Sequence, residues 1–407
     1  MARAELLQRD ARDDRRRTAV AGIKRMIRMD DPHARPSIMR SMAPTPRLDS
    51  DLLQARHGVS AEAVEVLAAC DVIDLHIDTF IPPRLFGYDL EREHGLGLLR
   101  GRFFGHLDVP RIRRGGLTGA MWSITTNPFR SAASRLKVFE RNLRRFEAFV
   151  AASDGALVFA CTASEYEAAK AQGAHAVLLS IQGGNALSAS AAGPAHVPDR
   201  RLVRVTLVHL TSSVFGSTSS PFSLLDRRRE LTPAGARFIE QCDAERVFVD
   251  LAHIHRTAFW QAVDAHQPDL PLIATHTGVC GVRPHWRNLD DAQLRAIADS
   301  GGVVGIIFAS QFLSRRGGPK DANMVVEHLE HVSRVAGDAA MAVGSDYDGA
   351  ITPPHDLRNG TAYVRLAQTM LDRGWPFERI RGALGGNFLS SFARMRPPPA
   401  SALGTES

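Results

Sequence analysis

Histidine and aspartate residues recur at the ends of short apolar segments along this chain. Six of them share this position: His76, Asp78, His209, His253, His276 and Asp346. The spacing of His76 and Asp78 places both side chains on one face of an extended strand. Imidazole and carboxylate groups are suitable ligands for zinc and similar divalent ions. The pattern therefore predicts a metal-binding site built from several strands.

The apolar segments have the length and the β-branched content of buried strands. The eight candidates are Val72–Thr79, Gly119–Thr125, Ala176–Ile181, Leu202–His209, Val247–His253, Leu272–His276, Val303–Ala309 and Met341–Asp346. Amphipathic helical stretches alternate with them, for example Ser134–Val150, Pro233–Cys242, Arg256–His266, Asp290–Ser300, Met324–Ala336 and Ala362–Arg373. This alternation predicts a (β/α)8 barrel of the TIM type, in which polar residues at the strand ends meet at one rim.

Two structural alternatives remain open at this point. The run Ala156–Cys161 has the character of a further short strand, which would raise the count by one. An open doubly wound sheet would also alternate strands and helices, but no Gly-rich phosphate loop follows any of the strands. The barrel is therefore the favoured architecture.

The positive charge of the chain is concentrated at its start. Residues 1–47 hold 12 Lys and Arg against 6 Asp and Glu, a local net charge of +6. This equals the net charge of the whole chain of 407 residues. The rest of the chain is neutral overall, so nucleic-acid binding by the main domain is not expected. We predict an Arg-rich, partly disordered N-terminal extension over 1–50, a barrel domain over 51–395 that carries the metal-binding site, and a disordered tail over 396–407. A helix over Ala19–Met29 that docks on a partner is the alternative for the extension.

Cysteine usage and hydropathy bear on the compartment. The four cysteines are far apart and form no CxxC pair, which is typical of reduced thiols in a cytoplasmic protein. No run of eighteen apolar residues occurs, so we expect neither a membrane span nor a membrane partner.

The chain resembles the membrane dipeptidase (renal dipeptidase) family of zinc peptidases, from about Cys70 to Phe392. The resemblance is carried by these ordered segments: Asp74-Leu75-His76-Ile77-Asp78, His106-Leu107-Asp108-Val109-Pro110, Gln182-Gly183-Gly184, Leu207-Val208-His209, Leu231-Thr232-Pro233, Asp250-Leu251-Ala252-His253, Thr275-His276-Thr277, Arg287-Asn288, Gly344-Ser345-Asp346-Tyr347-Asp348-Gly349 and Gly385-Gly386-Asn387-Phe388. It implies an amidohydrolase-type barrel, a small peptide or amide substrate, one or two zinc ions and a possible homodimer.

The resemblance also implies a role for each site position. His76 and Asp78 would bind one zinc ion, and His253 and His276 would bind the other. Three further residues would act on the substrate: His209 on the scissile carbonyl and its oxyanion, Arg287 on the substrate carboxylate, and Asp346 as the proton carrier between the attacking water and the leaving amine. Asp348 lies two residues after Asp346 and would face the same side of an extended strand, so it could share the proton transfer. The resemblance favours Asp346 for this role.

Gln182 departs from the family pattern, because the resemblance places a metal-bridging glutamate there. An amide supplies one carbonyl oxygen and an NH₂ group that only donates, so the centre loses a negative charge and a bridging oxygen. Three outcomes follow: one ion bound mainly by His253 and His276, two ions bound weakly, or a non-hydrolytic binding protein. A mononuclear enzyme could also act on a shifted amide substrate. The favoured interpretation is a metal-dependent, dipeptidase-like hydrolase.

Other histidines are not assigned to the site. His328 and His331 fall on a helical pattern and are expected to face solvent, while His255 and His285 lie near the predicted rim but match no family position.

Overall fold

The computed structural model describes residues 48–95, 102–221 and 229–397. These residues contain nine strands: β1 (Ile73–Ile77), β2 (Gly119–Thr125), β3 (Leu157–Phe159), β4 (His175–Gln182), β5 (Leu202–Thr206), β6 (Phe248–Asp250), β7 (Ala274–Thr277), β8 (Val304–Ile306) and β9 (Met341–Val343). The predicted N-terminal extension and C-terminal tail, including Ala19–Met29, lie almost wholly outside the described residues.

Eight of the strands form the ring of a barrel. One sheet runs in the order β1-β2-β4-β5-β6 and a second in the order β7-β8-β9, with parallel pairing throughout. Parallel bridges Asp250↔Ile273 and Ile77↔Tyr347 join the two sheets on both sides. The predicted (β/α)8 architecture is confirmed. The additional strand β3 pairs with the start of β4 and lies outside the ring.

Helices follow the strands and cover the barrel. Those in the described residues are α1 (Ser50–His57), α2 (Ala61–Ala69), α3 (Ile81–Phe86), α4 (Val109–Arg114), α5 (Ala132–Ala152), α6 (Ala163–Ala171), α7 (Pro233–Ala244), α8 (Arg256–Ala265), α9 (Asp291–Asp299), α10 (Ser310–Leu313), α11 (Asn323–Ala336), α12 (Tyr363–Asp372), α13 (Phe377–Arg381) and α14 (Asn387–Met395).

Local signals fix where several helices begin. Thr232 caps α7 by accepting from the Gly235 amide, and Pro233 occupies the first helical position, where no amide donor is needed. Asp290 and Gln293 form a reciprocal capping box at the start of α9. These caps explain why both helices begin within one residue of the predicted positions.

Three irregularities in the hydrogen-bonded pairing of neighbouring strands alter which side chains face the barrel interior. The pairing register shifts between Asp74 and Ile77 in β1, between Leu202 and Arg204 in β5, and between Ala274 and Thr277 at β7. Each shift inserts one extra residue, which reverses the alternation of faces beyond it.

Two hydrophobic layers hold the barrel together. The larger one lies between the strands and the helices, for example where Trp122 of β2 packs on Phe146 of α5. The smaller one contains side chains from the ring strands together with Phe388 and Phe392 of α14, which pack against Phe248 of β6. The last helix therefore contributes to the inner core, and the polar residues are left for the opposite, C-terminal ends of the strands.

The prediction that His328 and His331 face solvent is wrong. Both side chains of α11 are buried, at 0% and 6% exposure. His328 accepts from the Val279 amide through Nδ1 at 2.9 Å and donates from Nε2 to the Leu313 carbonyl at 3.2 Å. The ring thus satisfies two backbone groups outside its own helix, which a helical pattern alone does not reveal. No helix among the described residues has the length and apolarity that a membrane crossing requires.

The metal-free protein should lose stability as the pH falls from 6.5 to 4. Burial lowers the pKa of His175 and His328 to about 4. Between these pH values the unfolded chain binds protons at both rings and the folded chain does not, so acid favours unfolding. Over this pH range, the free energy of unfolding of His328→Gln should fall by roughly 2–4 kcal/mol less than that of the parent protein. Urea denaturation at each pH measures both.

His355→Gln is the matched control, because the His355 side chain is 63% exposed. An equal pH dependence for both variants and the parent protein would contradict the prediction.

Candidate active site

The strand ends bring the residues predicted for a site to one rim of the barrel. His76 lies in β1 and His276 in β7, and Gln182 ends β4. The remaining residues follow β1, β5, β6 and β9 within three positions: Asp78, His209, His253 and Asp346. Because the strands are parallel, all these side chains meet at the C-terminal face, where barrel enzymes place their active sites.

Two imidazoles converge most closely. His253 Nε2 and His276 Nε2 are 2.9 Å apart, and the His276 ring also stacks on His76 with centroids 3.8 Å apart. Burial is the largest cause that lowers the pKa of all three rings well below 6.5. The rings are therefore neutral at physiological pH, which is the form that binds metal ions.

The Gln182 amide lies at the centre of the site. One terminal atom is 3.4 Å from His276 Nε2 and 3.5 Å from His253 Nε2, while the other is 2.9 Å from Asp78 Oδ2. A carboxylate only accepts hydrogen bonds, so the amide nitrogen must face Asp78. The carbonyl oxygen Oε1 consequently faces the two imidazoles.

A buried carboxylate determines which nitrogen of His276 carries the proton. Thr275 Oγ1 donates to Asp250 Oδ2 at 2.7 Å and therefore accepts from His276 Nδ1 at 2.8 Å. The Nε2 atom of His276 consequently has its lone pair directed at the site. This arrangement is typical of metal-binding histidines, whose second nitrogen donates toward a carboxylate or carbonyl.

His76 is oriented by a different group. Arg204 is fully buried and donates from Nη2 to His76 Nδ1 at 2.8 Å and to Ser123 Oγ at 2.8 Å. Its Nη1 lies 3.3 Å from Asp250 Oδ2. Since a guanidinium only donates, the proton of the neutral His76 ring lies on Nε2. That nitrogen lies 3.3 Å from Gln182 Oε1 and faces the carboxylates of the site.

Two carboxylates border the His76 ring. Asp346 Oδ1 is 3.5 Å and Asp78 Oδ1 is 3.8 Å from His76 Nε2. Burial raises the pKa of both carboxyl groups, and the charge of Asp78 raises that of Asp346 further. A carboxyl group with a raised pKa is suited to exchange protons near neutral pH.

His209 and Arg287 direct nitrogen atoms into the rim. His209 Nε2 is 3.3 Å from Gln182 Oε1, and burial lowers the pKa of this ring to about 4. Arg287 is buried and donates from Nη2 to the His276 carbonyl at 2.6 Å, but its Nε has no partner in the described parts of the chain. Burial lowers the Arg287 pKa to about 10, so the group stays cationic.

Two of these positions share an unusual backbone conformation with the neighbouring Asp348. His253 has φ of 67° and Asp346 has φ of 62°, in the left-handed region that residues other than glycine rarely adopt. Such conformations concentrate at active sites, where surrounding structure compensates for their cost.

Asp348 lies beside the site but serves the fold. Its carboxylate is fully buried and accepts from Thr79 Oγ1 at 2.7 Å and from the amides of Gly105, His106 and Leu107 at 2.7–3.3 Å. It therefore ties the end of β1 to a neighbouring loop. Asp348 is thus fully engaged by the fold, and the assignment of Asp346 as the reactive carboxylate stays a prediction.

The remaining rim histidines are engaged elsewhere. His255 Nε2 contacts Arg229 at 3.2 Å, and His285 Nδ1 accepts from the Arg287 amide at 3.2 Å. Sequence reasoning gave no role to Arg204, Asp250 and Thr275, which orient the rings of His76 and His276. A signal was available for Arg204, because a charged residue inside an otherwise apolar strand must have a buried partner.

The residues fit a divalent metal ion. Donor atoms around a tetrahedral zinc ion, with bonds of about 2.0–2.1 Å, lie about 3.3 Å apart. The separations among His253 Nε2, His276 Nε2 and the facing amide atom of Gln182 are 2.9–3.5 Å. Ligand atoms of His76, His276 and Asp346 also lie within 4.8 Å of one another.

Comparison with known proteins places the chain in a family. The profile of the membrane dipeptidase family, peptidase family M19, matches residues 60–396. The protein therefore belongs to this family. A curated relative, an uncharacterized protein in the pqqA 5' region of Klebsiella pneumoniae, is 39% identical over 148 residues, 36% of this chain. The matched stretch spans 54% of that relative, about half its length.

Solved structures give the same fold. The metallopeptidase dipeptidase AC is 26% identical, with a TM-score of 0.69 over 80% of this chain and 98% of that chain. A Rhodobacter sphaeroides metallopeptidase, liganded with a phosphinate mimic of the dipeptide L-Ala-D-Ala, is also 26% identical, with a TM-score of 0.68 over 80% and 99%. The probable dipeptidase PvdM of Pseudomonas aeruginosa shares the fold at 15% identity, with a TM-score of 0.70 over 86% and 99%.

The two aspartates of the Asp346-Tyr347-Asp348 segment should differ in their effect on stability. Asp348→Asn should lower the free energy of unfolding by roughly 2–4 kcal/mol, because an NH₂ group would face the donors that Asp348 now accepts. Asp346→Asn should lower it by less than about 1 kcal/mol or raise it, because the substitution removes a buried charge near Asp78. Urea denaturation of metal-free protein at pH 7 measures both. Equal destabilisation by the two matched substitutions would refute this assignment.

Proposed function

We propose that this protein is a metal-dependent hydrolase that cleaves the amide bond of a dipeptide or a similar small substrate. The observation that carries the proposal is the convergence of His253 Nε2, His276 Nε2 and Gln182 at the rim, 2.9–3.5 Å apart. Support comes from the family and from the Rhodobacter sphaeroides relative, whose ligand mimics a dipeptide.

A divalent ion, which we propose to be zinc, would be held by the rim imidazoles, with Gln182 and the neighbouring carboxylates. When bound, it would supply a Lewis acid that polarises the scissile carbonyl and lowers the pKa of water. His253 and His276 are neutral and buried, so they are suited to hold it without a prior loss of protons.

Arg287 would bind the carboxylate of the substrate. Its side chain is anchored through Nη2 on the His276 carbonyl, and Nε lacks a partner within the described residues. A guanidinium with free N–H groups binds a carboxylate through two parallel hydrogen bonds. This contact would fix the position of the scissile bond relative to the imidazoles.

His209 and Asp346 would act on the reacting atoms. His209 has a low pKa and its Nε2 faces the site, so a neutral ring would donate to the oxygen of the developing oxyanion. Asp346 would accept a proton from the attacking water and transfer it to the leaving nitrogen. Its raised pKa suits both steps, since a stronger acid would keep the proton less readily.

The wider organisation of the protein is also proposed from its sequence and family. We propose a cytoplasmic location, because all four cysteines are unpaired thiols, two of them buried. We also propose the division into an extension over 1–50, a barrel over 51–395 and a tail over 396–407, and a homodimer as the assembly.

A dipeptide assay tests the proposed function. The purified protein should hydrolyse members of a panel of L-L and L-D dipeptides after addition of Zn²⁺, Mn²⁺ or Co²⁺. Asp346→Asn should lower kcat by about 100-fold or more, since it removes the proton carrier. Arg287→Met should mainly raise KM, because it removes the contact to the carboxylate.

His355→Gln serves as the control and should retain full activity, because the exposed His355 lies outside the site. Absence of turnover with every metal ion, in protein with a native circular dichroism spectrum, would favour a non-hydrolytic binding protein instead.

A further inference from the structure

The site has two halves, one with His76 and Asp78 and the other with His253 and His276. They differ in which ring nitrogen carries the proton, as a comparison of His76 with His276 shows. Thr275 Oγ1, which donates to Asp250, accepts from His276 Nδ1 and leaves its Nε2 as an acceptor. Arg204 donates to Nδ1 of His76 and thereby places the proton of that ring on Nε2. A neutral imidazole has one N–H and one lone pair, so His76 presents an N–H where His276 presents a lone pair. Only the second can bind a cation.

Arg204 is firmly built into the barrel and cannot readily turn away from His76. It is fully buried, and Nη1 contacts Asp250 at 3.3 Å and the Ile181 carbonyl at 3.4 Å. Its Nη1 also donates to Thr206 Oγ1, which in turn donates to Asp250 Oδ2 at 2.6 Å. Moving the guanidinium would leave a buried charge without its partner, which is costly.

Asp78 is engaged in a similar way. The Gln182 amide nitrogen lies 2.9 Å from Asp78 Oδ2 and 3.2 Å from Oδ1, so both carboxylate oxygens face an N–H donor. Its carbonyl oxygen lies among the histidines, where it accepts from His76 Nε2 and His209 Nε2 at 3.3 Å each. The same oxygen is 3.4 Å from His276 Nε2 and 3.5 Å from His253 Nε2. The Gln182 nitrogen therefore engages both oxygens of Asp78, while its oxygen accepts the N–H of His76 and is also close enough to His253 and His276 to share an ion with them.

We infer that this chain builds a single-ion centre, in which Arg204 and Gln182 occupy the acceptor atoms of His76 and Asp78. The ion would be held by His276, Gln182 Oε1 and His253. The His253 Nδ1 has no partner among the described residues, so the ring proton can move to Nδ1 and leave Nε2 free for the ion. Arg204 supplies a permanent positive charge on the His76 side, so a second cation there would meet both an N–H and a repelling charge. This inference deepens the proposed function, since it specifies the metal content of the same site.

Ion counting on paired variants tests the inference. Metal-free protein is dialysed against Zn²⁺, and the bound metal is measured by mass spectrometry and by titration calorimetry. The parent protein should bind one ion per chain. His276→Gln should weaken binding by about 100-fold or more, because one of the ligands is lost. His76→Gln should keep one ion, with affinity within about threefold of the parent protein. Two ions in the parent protein, or loss of the ion in His76→Gln, would overturn the inference.

Restoring the second half requires two changes. Gln182→Glu alone should still bind one ion, because Arg204 keeps the proton of His76 on Nε2. Gln182→Glu combined with Arg204→Leu should bind two ions. Two ions in Gln182→Glu alone would show that Arg204 does not block the site.

Imidazole NMR provides a measurement that does not depend on the folding of any variant. In ¹⁵N-labelled, metal-free parent protein at pH 7, the ring of His76 should be protonated on Nε2 and the ring of His276 on Nδ1. The opposite protonation of His76 would overturn the inference. One bound ion without hydrolysis of any dipeptide would leave the inference standing and defeat the proposed function, whereas two ions with hydrolysis would do the reverse.

Discussion

A neutral imidazole can donate a hydrogen bond from one nitrogen and accept at the other, and this constraint governs the whole site. Whatever contacts the inner nitrogen decides what the outer nitrogen can bind. Asp250, acting through Thr275, keeps the proton of His276 on Nδ1, whereas Arg204 keeps the proton of His76 on Nε2. The rim therefore depends on charged groups that are fully buried in the barrel.

Those deeper groups form one connected unit. The Asp250 carboxylate accepts from the hydroxyls of Thr206 and Thr275 and from the amides of Ala252 and Thr275, at 2.6–3.0 Å, and it faces Arg204. A buried ion pair contributes little net stability, but removing one partner is strongly destabilising. We therefore interpret the main role of the Arg204–Asp250 pair as fixing the orientation of the His76 and His276 rings. The same strands that carry it also carry the inner hydrophobic layer, so the geometry of the rim is coupled to core packing.

Most of the architecture was accessible from the sequence. All eight predicted barrel strands occur, and the helices predicted over 233–242, 256–266 and 290–300 begin within one residue of the observed positions because caps and periodicity define them. Gathering of the predicted residues at one rim follows from the parallel arrangement of the strands.

The supporting residues were not accessible in the same way. Arg204 makes its contacts across the barrel with residues of three other strands, His76, Ser123 and Asp250, and no local pattern records such pairings. The burial of His328 depends on the backbone groups of Val279 and Leu313, which lie outside α11. The orientation of the Gln182 amide depends on Asp78, which lies far away along the chain. Local propensity predicts elements well, but the direction of a hydrogen bond is a property of the assembled site.

The register shifts in β1, β5 and β7 have a consequence for engineering and for alignment. Each extra residue turns the following side chains from one face to the other, and His76, Arg204 and His276 lie at or just beyond these points. An alignment that assumes strict alternation would assign them to the outer surface. A chimera that exchanges one of these strands with that of a relative must carry the extra residue along with its neighbours, because otherwise the transplanted strand would direct its functional groups into the helical layer.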